Sequence, residues 1–164
     1  MKNPVKLSIA TAFAGALLVA PGLAQEIIVA PNQSVVDRFI EDVSHDLDDE
    51  LGNVLIDTFR LHGGIAKIRF QTDANGKPEN VWFYEKSGDR QVNRIAMRAI
   101  KRLDGIDLES IGYPQDTVIH ANVVISSTPG QAERLMEDLA LSEAARLAAA
   151  KPDERRVLAL AVNR

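Results

Sequence analysis

Residues 63–103 read GGIAKIRFQTDANGKPENVWFYEKSGDRQVNRIAMRAIKRL, and the spacing of the apolar side chains changes within that stretch. Ala66, Ile68, Phe70 and Thr72 alternate with Lys67, Arg69, Gln71 and Asp73, the period of two expected of a strand with one buried and one wet face. A strand therefore begins near Ile65. Asn75-Gly76 follows, a pair that tolerates the positive φ of a tight hairpin turn, and Val81, Trp82, Phe83 and Tyr84 form a second β-rich run beyond it. The spacing predicts an antiparallel pair.

After Ser87-Gly88-Asp89 the period becomes helical, with Val92, Ile95, Ala96, Ala99, Ile100 and Leu103 on one face and Asp89 placed to accept first-turn amide protons. A last strand is expected from Thr117 to Ser126, with Ile119, Ala121, Val123 and Ile125 on one side and Val118, His120, Asn122 and Val124 on the other. The order is ββαβ. This gives an α+β class, a small antiparallel sheet with a helix on one face and flanking N- and C-terminal helices.

The glycine before the first strand, the NGKPENVWF run, the SGD before the helix, AMRAI within it and the Tyr113-Pro114 step resemble the C-terminal domain of the TonB family, the energy-transducing proteins of Gram-negative envelopes. The resemblance covers residues 63–127. It implies a periplasmic TonB-like protein that binds an extended peptide, of the TonB-box type, from an outer-membrane transport component. In that family the last strand is a sheet edge that receives the peptide. Carried over to this chain, the partner-binding residues are Thr117, Val118, His120, Asn122, Val124 and Ser126, with backbone hydrogen bonds supplying affinity. That strand contains no proline and no lysine to protect its edge. The alternative is that the leader or the C-terminal helix already covers it. Trp82 and Tyr84 face away from Val81 and Phe83, so either a further helix buries them or they form an interface.

Outward from this unit, residues 1–24 read as an export signal. Lys2 and Lys6 precede an apolar run, and small residues at Gly22 and Ala24 mark a cleavage point before Gln25. An uncleaved inner-membrane anchor through residues 5–24 is the alternative, but its apolar run is short for a span of about 20 residues. Cleavage removes both lysines and takes the net charge from −4 to −6. An acidic chain is a poor partner for nucleic acid. Residues 25–33 form a leader in which Glu26 to Ala30 resemble a TonB box. Over residues 34–62, Val36, Phe39, Ile40, Val43, Leu47, Leu51 and Val54 mark an amphipathic helix that Ser34 can cap, followed by a linker. Residues 128–164 form a helical extension with an apolar stripe of Leu135, Met136, Leu139, Ala140 and Leu147, then a short tail that packs as a helix end or a strand.

Catalytic and metal-ligating patterns are lacking in the sequence. The chain has no cysteine, so it holds neither a disulfide framework nor a thiolate site. His45, His62 and His120 show no metal-ligand spacing, and the acidic run around Asp46 to Glu50 has Leu51 where a calcium loop needs glycine. No phosphate-cradling glycine pattern and no nucleophile elbow occur. The expectation is a binding protein with no catalytic residues, cofactor, metal or small-molecule substrate. A structural envelope protein, or a homodimerisation module, is the competing reading.

Overall fold

The computed structural model describes residues 32–54, 61–151 and 157–164. The export signal and residues 25–31 of the leader lie outside them. The chain runs α1 (Gln33–Gly52), β1 (Gly64–Thr72), β2 (Pro78–Glu85), α2 (Arg90–Ile100), β3 (Ile119–Ile125), α3 (Pro129–Ala149) and β4 (Leu158–Asn163). The architecture is α+β, as the spacing of the central stretch predicts, with a ββαβ unit between two helices.

The strands form one sheet in the order β2-β1-β3-β4. β1 pairs antiparallel with both β2 and β3, whereas β3 and β4 are parallel. The sheet is therefore mixed and four-stranded, one strand larger than the unit predicted. A parallel neighbour cannot be reached through a tight turn, and the crossover that it requires contains α3.

Alternation in the strands sends Ala66, Ile68 and Phe70, with Ile119, Ala121, Val123 and Ile125, to one face, where Leu158, Leu160 and Val162 of β4 extend the same layer. Helices α1 and α2 cover that face. α1 contributes Val36, Val43, Leu47 and Leu51, and α2 contributes Val92, Ile95, Ala96, Ala99 and Ile100. Removing this apolar surface from water is the main stabilising term, about 25 cal/mol per Å² buried.

The helix starts follow side-chain chemistry. Asn32, not Ser34, caps α1 by accepting from the Ser34 amide at 3.1 Å, because the helix begins at Gln33, two residues earlier than a Ser34 cap implies. Asp89 caps α2 through the Gln91 amide and also accepts from the His62 amide at 2.8 Å. The carboxylate thus ties the start of α2 to the segment entering β1.

The hairpin is closed by Asp73 and Lys77, whose side chain and backbone groups bond across a loop in which Gly76 alone takes positive φ, +74°. Asn75 keeps an ordinary conformation. No helix among the described residues is long and apolar enough to cross a membrane.

Candidate functional site

The residues assigned to partner capture converge on β3, but the structure places that strand inside the sheet. One border of β3 bonds to β1 and the other to β4, in continuous register from Ile119 opposite Leu158 to Val124 opposite Asn163. Ser126 donates its amide to the Arg164 carbonyl at 2.8 Å, and Arg164 donates back to the Val124 carbonyl. Strand addition requires a row of unpaired backbone groups, and β3 has none left. The expectation of a free edge here is overturned by the C-terminal tail, which folds as a strand.

Side chains of β3 are sealed as well. His120, Asn122 and Val124 are buried, while Thr117 and Val118 are half-buried just before the strand. Lys67 and Arg69, expected on a wet face, are buried too, at 5% and 7% exposure. The cause is α3, which lies across this second face. The apolar stripe expected along α3 does not form a core contact: Leu139 is buried, but Met136 and Leu147 are exposed.

What α3 presents to the sheet is polar. Lys67 Nζ donates to Ser142 Oγ at 2.9 Å and lies 3.1 Å from Glu85 and 3.5 Å from Glu143. Glu143 also accepts from Arg146 Nε at 2.8 Å, and its Oε1 lies 3.7 Å from His120 Nε2. From below, Arg69 Nε donates to His120 Nδ1 at 3.0 Å, and Asn122 Oδ1 lies 3.0 Å from His120 Nε2. Tyr84 closes the cluster. The Arg69 guanidinium sits 4.0 Å from its ring centre, and His120 meets it edge-on.

Elementary chemistry assigns the protons. A guanidinium can only donate, so His120 Nδ1 must accept and Nε2 carries the ring hydrogen, directed to Asn122 and Glu143. Burial pushes His120 down to about 4; the charges of Arg146 and Arg69 act in the same direction, against Glu143 and Asn122. Burial alone would raise the Glu143 carboxyl. The Arg146 hydrogen bond and the nearby Arg146 and Lys67 charges outweigh it and hold the group below its usual range.

Lys67 and Ser142 are not wired as base and nucleophile. Lys67 spends its three protons on Ser142, Glu85 and Glu143, and the serine hydroxyl donates to the Leu139 carbonyl at 2.9 Å. The sequence offered one sign of this seam, the period-two Lys67 and Arg69, but their partners lie on an element far along the chain.

Among the described residues, two outer borders remain, those of β2 and β4. β2 begins at Pro78, breaks register with β1 twice and holds Asn80 at φ +47°, features that twist and interrupt an edge. Trp82 and Tyr84 lie on it, 40% and 44% exposed. β4 reads LALAVN, with neither charge nor proline, and pairs without a register break. Leu158 and Arg164 direct their amides to Val118 and Val124 of the β3 segment. By strand alternation, Ala159, Ala161 and Asn163 turn theirs to the outer border.

His45 and Asp49 form an exposed i,i+4 pair at 3.5 Å, and no group of three or more metal-ligating side chains occurs among the described residues. No protein-family model, curated protein or solved structure matches this chain.

Proposed function

We propose that the chain is a periplasmic TonB-like protein, exported by cleavage after Ala24, that binds an extended peptide of an outer-membrane transport component by adding it to the outer border of β4. The observation that carries this reading is the contrast between the borders. β2 is bulged and carries proline, whereas β4 is regular and uncharged, and its outer border is unpaired among the described residues. An edge of that kind templates another strand. Main-chain bonds to Ala159, Ala161 and Asn163 supply affinity, and the small side chains of the two alanines leave room above the sheet.

Titration of the exported chain with fluorescent TonB-box peptides tests it. Saturable binding is expected, weakened about tenfold by Ala161→Pro, which removes an outward amide without touching the β3 ladder. Absence of saturable binding overturns the reading. Binding that appears only after residues 157–164 are deleted overturns the β4 placement and returns capture to the border of β3. The competing reading, a homodimerisation module, uses the same edge through a second β4, and sedimentation of the peptide-free chain distinguishes it.

A further inference from the structure

The polar seam under α3 is an unusual way to hold a helix. Leu139 is the buried side chain of this 21-residue element, and the remaining attachment runs through Ser142, Glu143 and, at the first turn, Gln131. Gln131 donates to the His62 carbonyl and accepts from the Ser127 amide. The helix is thus pinned at its start by neutral hydrogen bonds and along its length by charges.

His120 sits where those charges meet, fully buried on the central part of the sheet. The charged and titratable groups facing it are Lys67 and Arg69 from β1, Tyr84 and Glu85 from β2, and Glu143 and Arg146 from α3, with Asn122 beside it. A proton arriving at this ring has one place to go. Nε2 already carries a hydrogen, so the new one lands on Nδ1, 3.0 Å from the Arg69 N–H. Two donors then oppose each other, and two positive groups share a site closed to water. Arg69 must leave His120, and its stacking on Tyr84 is disturbed with it.

We propose that α3 is an acid-released strap: protonation of His120 at Nδ1 expels Arg69 and leaves a buried imidazolium whose lost hydration outweighs its attraction to Glu143, so the helix swings from the sheet about its Gln131 end and the ring is hydrated. The opened face presents Lys67, Arg69, His120 and Asn122 beside Trp82 and Tyr84. The low affinity of buried His120 for a proton places the transition in acid, between pH 6.5 and about 4. This device is independent of strand capture on β4.

Hydrogen exchange of the full chain, resolved by segment and corrected for the intrinsic effect of pH, reads the transition. Protection of 129–149 is expected to fall at least about tenfold between pH 6.5 and 4.5 while that of 64–72 holds. His120→Gln keeps an acceptor for Arg69 and a donor for Asn122 but cannot titrate, so its α3 stays protected across the range. Glu143→Gln lowers protection at every pH. Should His120→Gln fail to fold, the ring ¹⁵N shifts of the unaltered chain replace it. The Nε2–H tautomer at neutral pH is expected, with titration of the ring coinciding with loss of α3 protection. The proposal is overturned if α3 and β1 lose protection together, if His120→Gln retains the acid response, or if the ring titrates while α3 stays closed.

Discussion

At the scale of single residues, Gly76 and His120 show how position decides what a side chain may be. Gly76 combines φ of +74° with a crowded setting, since a methyl group there would come within 2.6 Å of the Ile106 amide nitrogen and 2.8 Å of its carbonyl oxygen. Ile106 also donates to the Gly76 carbonyl, so the loop after α2 is moored to the hairpin. Gly76→Ala is therefore expected to cost about 1–3 kcal/mol, through left-handed strain together with displacement of backbone. Urea denaturation checks this; a loss within 0.5 kcal/mol, roughly the range of ordinary surface substitutions, would show the loop yielding instead. The glycine was legible because Asn-Gly marks a turn in any context. His120 was not, for alternation told only that it faced away from Ile119, and what covered that side was unknown.

At the scale of elements, α2 is the part best written into the chain. Its apolar spacing, its Asp89 cap and its packing face all follow from neighbours a few residues apart. Asp89 also accepts from His62 across 27 positions, a contact that no local pattern announces. Burial would raise the Asp89 carboxyl, but the backbone donors of His62, Gln91 and Val92 outweigh it and hold the group below its usual range. Asp89→Ala takes the acceptor from the amides of His62, Gln91 and Val92 and is expected to cost about 1–2 kcal/mol. Asp89→Asn, which still accepts, should recover most of that. Equal losses for the two variants in denaturant titrations would mean that charge, not capping, matters here. β4 illustrates the opposite case. Leu158, Leu160 and Val162 do alternate with Ala159, Ala161 and Asn163, but a run this short reads equally as a helix end, and β3 had to supply the ladder that made it a strand.

Across the whole molecule, the two faces of the sheet obey different physics. One is closed by apolar packing under α1 and α2, whose strength does not depend on pH. The other is closed by ion pairs and hydrogen bonds under α3, and its strength does. Because the folded chain holds His120 near 4 against 6.5 for a free imidazole, the unfolded chain takes up a proton that the folded one refuses between those values. Stability is then full above pH 6.5 and declines as pH falls toward 4, by roughly 3 kcal/mol at most at 1.36 kcal/mol per pH unit. Glu143 adds to the decline at lower pH, since its contribution is present above its unfolded value and disappears as pH falls through its depressed folded one. Release of α3 would cap the loss at the free energy that seats the helix. Urea melts at pH 7, 5.5 and 4.5 measure the slope, and a stability that rises toward acid would contradict the burial of a neutral His120.

The order of elements from α1 to α3, the hairpin, the capped helix α2 and the apolar face of the sheet were determined by the sequence alone. Each rests on periodicity and capping among residues close along the chain, and those forces act wherever the segment is placed. Which strand has a free border, and which polar side chains are buried, were decided only by the tertiary structure. A backbone edge is closed by whatever segment arrives beside it, and a charged face is dry only once a distant helix brings the opposite charges.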